Sequence, residues 1–179
     1  MNETPAPELH VSQWFNSPED LRLADLRGRV VMIEAFQMLC PGCVAHGLPQ
    51  AQAVHQAFPQ DKISVIGLHC VFEHHAAMTP VSLEAFLYEY RIAFPVGVDL
   101  TGNDALPQTM AAYEMQGTPT LILIDKQGRR RAQYFGQIPD LRLGHDIGLL
   151  LSELPGKESF EAPVTKEETR CDEEGCRLE

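Results

Sequence analysis

The chain has 179 residues, 44% of them hydrophobic and 22% charged, which is ordinary for a soluble globular protein and long enough for one domain with a substantial core. Its formal net charge of −11 argues against nucleic acid and anionic membrane surfaces as partners. No stretch approaches the ~18 consecutive apolar residues that a membrane-spanning helix needs.

Met1 to Glu8 holds neither a basic region nor an apolar one of the kind that forms a leader. The expectation is a cytoplasmic protein, or a periplasmic one if a signal peptide has been removed. Five cysteines in a reducing compartment point to catalytic or metal-binding roles before structural disulfides.

Residues 9–27 hold short apolar segments around the turn Asn16-Ser17-Pro18-Glu19-Asp20, and the alternation at Leu21, Leu23 and Leu26 suits a half-buried strand or hairpin. Trp14 reads as a core or lid residue. Gly28 turns the chain into an apolar strand at about 30–37. From Cys43 to Phe58, apolar residues at Val44, Leu48, Ala51, Val54 and Phe58 mark one helix face, with a kink expected at Pro49. Ile63 to His69 reads as a second buried strand.

A loop over 70–80 leads to a helix with Pro80 as a start signal and Ser82 as its cap, burying Leu83, Phe86, Leu87 and Tyr90. Phe94 to Val98 is a short strand placed at a sheet edge by its proline. A helix near 105–115 follows. Leu121 to Ile124 and Arg130 to Phe135 form a hairpin around Asp125-Lys126-Gln127-Gly128. A last helix, about 139–153, presents Leu141, Ile147, Leu150 and Leu151. The pattern divides into a domain over 1–155 and an acidic tail over 156–179 that carries Cys171 and Cys176. Strands alternating with helices give an α/β fold, a mixed sheet with helices on both faces.

The main strand breaks at Cys40-Pro41-Gly42-Cys43, and a helical pattern follows at once. Two thiols separated by two residues can close a small disulfide ring. At a helix N-terminus, unpaired amides and the dipole favour a thiolate at Cys40. Pro41 fits the first helical turn, which tolerates a missing amide. Strand, dithiol and helix in one α/β chain read as a redox site at the carboxyl end of a strand.

Four segments carry a family resemblance: the dithiol after a strand, Gly117-Thr118-Pro119-Thr120 before a strand, Ile124 to Gly128 at the hairpin, and a helix–strand pair near 80–98. The chain resembles the thioredoxin superfamily over roughly residues 9–153, and more closely its TlpA-like and peroxiredoxin-like (redoxin) branch. The resemblance implies a thioredoxin-like mixed β-sheet flanked by helices, with an N-terminal hairpin and a helix–strand insert. It implies a cis proline at Pro119 packed on the dithiol, and a Thr118 backbone that pairs with an extended substrate strand, with Pro41 beside it. It also places a buried carboxylate at Glu34, able to take the proton of Cys43; an exposed carboxylate on the strand is the plainer alternative. Departures are Leu39 where tryptophan is usual, the order Pro-Gly between the cysteines, and Gln37-Met38-Leu39 in place of the peroxiredoxin proline and threonine.

The expected function is thiol–disulfide exchange with protein disulfide or dithiol substrates. Cys40 attacks, Cys43 resolves, Glu34 relays a proton and Pro119 shapes the groove. No dissociable cofactor is required, because the electrons reside in the two sulfurs, and no metal is assigned. The alternatives are a metal-binding or metal-delivery module and a thiol peroxidase. His69, Cys70, His74 and His75 cluster after the second strand as possible zinc or copper ligands, against the plainer reading of a buried thiol and solvated histidines. His46 reads as a modulator of the thiols or a surface residue. Cys171 and Cys176 form a second disulfide, join a metal site or stay idle.

Overall fold

In the computed structural model, residues 4–102 and 106–153 are described. The tail beyond them, with Cys171 and Cys176, lies outside the described residues.

Seven strands form one sheet in the order β1-β7-β6-β3-β4-β5-β2. They are β1 (Thr4–Pro5), β2 (Val11–Phe15), β3 (Val30–Phe36), β4 (Ile63–His69), β5 (Val96–Asp99), β6 (Thr120–Ile124) and β7 (Arg129–Phe135). The helices are α1 (Leu48–Ala57), α2 (Pro80–Glu89), α3 (Gln108–Ala112) and α4 (Asp140–Ser152). Strand β3 is the axis of the sheet, parallel to β4 and antiparallel to β6. All seven of its residues are buried, as its nearly unbroken apolar run requires.

The two-residue period of β3 sorts its side chains into two layers. Met32 and Phe36 pack with Cys43, Leu48, Ala51 and Val54, and with Leu83, Leu143 and Ile147, under α1, α2 and α4. Val31, Ile33 and Ala35 pack with Ile66, Leu68, Met110 and Tyr113 on the opposite face. Glu34 shares the parity of Met32 and Phe36, so it points into the layer that contains Cys43.

The N-terminal hairpin does not form. β2 pairs antiparallel with β5, while β1 pairs with β7 at the far edge. Leu23–Leu26 is a 3₁₀ turn that buries Leu23 and Leu26, whose three-residue spacing suits that turn better than a strand. The proline-bearing strand is also corrected: β5 begins at Val96, one residue after Pro95, and lies inside the sheet between β4 and β2. Pro95 therefore costs no ladder amide, and its carbonyl accepts a hydrogen bond from the Gly67 amide.

Thr79, rather than Ser82, caps α2, accepting from the Ser82 amide at 3.2 Å. Tyr90, read as buried, is exposed beyond the end of that helix. In α4, Leu143 takes the core position assigned to Leu141, which is 90% exposed.

Candidate active site at the Cys40–Cys43 turn

Both cysteines are free, Cys40 half-buried and Cys43 buried. The backbone N–H of Cys43 donates to Cys40 Sγ at 3.2 Å, and the Cys40 thiol donates to the Thr118 carbonyl at 3.5 Å. The two sulfurs thus differ in access: one meets the surface and the other faces the core. Burial, followed by the hydrogen bond with Cys40, pushes the Cys43 thiol up to about 12.

Where the sequence suggested a kink at Pro49, the structure has an irregular turn just before it. Residues Cys43–Gly47 make a π turn, closed by the Leu48 amide on the Cys43 carbonyl. Pro49 follows directly, in the first turn of α1, where its missing amide costs no bond. The disturbance therefore precedes Pro49 and lies beside the dithiol, a common place for such turns.

The Thr118–Pro119 peptide bond is cis. A Cβ on Gly42 would stand 3.4 Å from Pro119 Cδ, so the turn between the cysteines lies against the proline ring. Leu39 and Phe135, each 57% exposed, flank this surface. Phe135 lies over Gly117, where a Cβ would meet its ring at 3.0 Å. Phe135 was not singled out from the sequence, because a strand-end aromatic carries no local sign of facing a loop far away in the chain.

Glu34 is 1% exposed, and its Oε1 has no hydrogen-bond partner. Burial pushes its pKa up to about 8. The carboxyl does not hydrogen-bond Cys43; it lies beneath Gly47, where a Cβ would collide with Oε1. It also lines a cavity of about 260 Å³, shared with His46, Gln50, Gln137 and Asp140. Gln50 spans this region, donating to Asp140 Oδ1 at 2.6 Å and to the Ile138 carbonyl at 3.0 Å.

Gln37 is a further buried polar residue. Its amide accepts from the Phe72 N–H at 3.4 Å and donates to Glu73 Oε1 at 3.3 Å, tying the dithiol loop to the loop after β4. Its signal in the sequence was a glutamine closing an otherwise apolar strand.

The histidine–cysteine cluster separates. His69 faces Phe36, with ring centroids 5.3 Å apart, and its Nε2 has no partner. Cys70 belongs to the other layer, where its thiol donates to Asp99 Oδ2 at 3.6 Å. Asp99 is held in turn by the amides of Thr109 and Met110. Among the described residues, no group of three or more His, Cys, Asp or Glu side chains is arranged to hold a metal ion.

Comparison with known proteins adds an independent line. The model of the AhpC/TSA family matches residues 3–132. The crystal structure of a thioredoxin-like superfamily protein is 65% identical, with a TM-score of 0.83 over 84% of this chain and 98% of that one. A thiol-disulfide isomerase from Corynebacterium glutamicum is 51% identical, with a TM-score of 0.81 over the same shares. Among curated relatives, protein DipZ of Mycobacterium tuberculosis is 29% identical over 135 residues, which are 74% of this chain and 18% of that protein. Thiol-disulfide oxidoreductase ResA of Bacillus anthracis is 25% identical over 117 residues, 65% of this chain and 61% of its own. The chain therefore spans under a fifth of the DipZ-type relatives.

Proposed function

Because the chain belongs to the AhpC/TSA family, we propose that it is a thiol–disulfide oxidoreductase acting on protein substrates through Cys40 and Cys43. The observation that carries this reading is the asymmetry of the two free thiols, one half-buried against Thr118 and one buried behind it.

In the reducing direction, the Cys40 thiolate attacks one sulfur of a substrate disulfide. A Cys40–substrate disulfide forms, the substrate S–S bond breaks, and the other substrate sulfur leaves as a thiolate. Cys43 then loses its proton and attacks Cys40 Sγ. The Cys40–Cys43 disulfide forms, and the second substrate thiolate departs. Two electrons have passed from the dithiol to the substrate, and the reverse sequence oxidises a substrate dithiol.

The second step needs a base in the interior. Once Cys40 is bonded to substrate, its contribution to the high Cys43 pKa is gone, but burial, the largest cause, remains. Creating a charge in that layer is costly, whereas moving one from a carboxylate to a thiol leaves the buried charge unchanged. Glu34 supplies such a carboxylate in the same layer. Thr118 and Pro119 form the wall along which an extended substrate segment lies, beside Pro41, Leu39 and Phe135. Metal delivery has no support in the separated histidine and cysteine side chains, and peroxidase chemistry has none in Gln37-Met38-Leu39.

The test is exchange with a protein disulfide, scrambled ribonuclease or insulin, in wild type, Cys40→Ser and Cys43→Ser. Turnover that survives in Cys40→Ser would end this assignment. Peroxide consumption dependent on Cys40, without disulfide exchange, would replace it with a peroxidase.

A further inference from the structure

Gly47 carries ordinary right-handed helical angles, φ −59° and ψ −54°. No turn or left-handed conformation asks for glycine there, and alanine is the better residue for such a backbone. The reason for glycine is space. A Cβ at this position would collide with Glu34 Oε1, stand 3.1 Å from Glu34 Cδ and 3.2 Å from Pro119 Cβ. The π turn thus brings a residue without a side chain over a buried carboxyl whose upper oxygen has no partner.

Glu34 and Gly47 both line the cavity that they share with His46, Gln50 and Asp140. At about 260 Å³ this space has room for several water molecules, each of which needs roughly 10–15 Å³ of such volume. A proton accepted by Glu34 therefore has this cavity as an exit, and neither cysteine lines it.

We propose that Gly47 is a positioning residue for proton transfer: by lacking a side chain, it lets the Glu34 carboxyl lie beneath the π turn, at the wall of the cavity through which its proton leaves. Glu34 and Gly47 form a matched pair, a long acid beneath a bare backbone. The pair rests on the reading of Glu34 as the proton acceptor, and it makes a demand that this reading alone does not. A methyl at position 47 must displace the carboxyl, and shortening the acid by one methylene must make room for it.

The experiment follows resolution of a pre-formed Cys40–substrate disulfide by stopped flow at pH 6–9, in wild type, Gly47→Ala, Glu34→Asp, Gly47→Ala/Glu34→Asp and Glu34→Gln. A ¹³C-detected titration of the residue-34 carboxyl accompanies it. Gly47→Ala should slow resolution about tenfold, a part of what a placed acid–base group contributes, and shift the carboxyl titration. Relative to Glu34→Asp, the double variant should lose less than about threefold, because the smaller acid vacates the space. If Glu34→Gln resolves at the wild-type rate, the proton-acceptor reading itself falls. If Glu34→Gln is slow but Gly47→Ala keeps the wild-type rate and titration, only the positioning role falls. Equal slowing by the methyl in the wild-type and Glu34→Asp backgrounds also overturns it, since the obstruction would then lie at Pro119. Should Gly47→Ala fail to fold, folding of the double variant supports the pair, and failure of both refutes it.

Discussion

The backbone amide of Cys43 donates to Cys40 Sγ across 3.2 Å while the Cys43 thiol itself is closed off from solvent. In the proposed mechanism this asymmetry orders the two chemical steps: Cys40, the more accessible sulfur, attacks and the buried Cys43 resolves. Cys43→Ser should therefore accumulate a stable mixed disulfide at Cys40, visible by mass spectrometry as a covalent adduct. Cys40→Ser should form none, and its exchange rate should fall by at least about a thousandfold, as on removal of other covalent nucleophiles. An adduct on Cys43 in the Cys40→Ser variant would reverse the assignment of roles.

Glu34 gives a prediction about stability as well as rate. Its pKa is raised by burial from 4.5 to about 8, so the folded protein retains a proton that the unfolded chain has lost between those values. The stabilisation from burying the neutral acid is complete below about 4.5 and is lost as pH rises through about 8. Wild type should thus lose stability across that window relative to Glu34→Gln, by on the order of 5 kcal/mol. Urea denaturation at pH 4, 6, 8 and 9 measures the difference. Parallel curves for the two proteins would mean that the carboxyl titrates normally and is not a near-neutral base.

Much of this site was legible in the chain before its fold was known, because its signals are local. A dithiol after an apolar strand, a charged residue inside that strand, and a Thr-Pro before another strand each announce a constraint within a few residues. What the sequence hid depends on contacts between distant segments. β2 looked like half of a hairpin, since its true partner, β5, lies more than 80 residues further on. Pro95 suggested an edge strand, but the ladder simply starts after it. Gly47 stands out in no sequence pattern; the space it leaves matters only once β3 places Glu34 beneath it. His69 and Cys70, adjacent in sequence, looked like joint ligands until the period of β4 sent them to opposite faces.

His69 carries a prediction with the opposite sign to that of Glu34. Burial lowers its pKa from 6.5 to about 4, and its Nε2 has no partner among the described residues. The unfolded chain binds a proton between those values that the folded one refuses, so stability is present above about 6.5 and is lost as pH falls toward 4. His69→Phe keeps a ring against Phe36 and removes both the titration and the unsatisfied nitrogen. It should be as stable as wild type or about 1 kcal/mol more so at pH 7.5, and the gap should widen at pH 5. A variant that is less stable at both values would show that the imidazole nitrogen is satisfied by a group such as bound water.

Asp125 sets the limit on how far the hairpin away from the site can be altered. The carboxylate accepts from the amides of Gln127 and Arg129 at 3.0 and 2.9 Å, and from the Arg129 and Arg131 side chains at 2.8 and 3.1 Å. Burial raises its pKa, but these hydrogen bonds, led by the Arg129 backbone, outweigh it and leave the group below its usual 3.8. Arg131 is itself buried and reaches onward to Glu153 at 2.6 Å, so removing the charge at 125 leaves a buried guanidinium with half its partners. Asp125→Asn should cost about 3 kcal/mol at pH 7, the order expected when one member of a buried pair is lost. The deficit should shrink as pH falls below 3.8, where protonation of wild type removes the same charge. Resolution of the mixed disulfide at Cys40 should proceed at the wild-type rate in the folded variant. Lost stability with unchanged chemistry is the expected pair of results, and a change in the resolution rate would show that the β6–β7 hairpin is coupled to the Thr118–Pro119 wall at its other end.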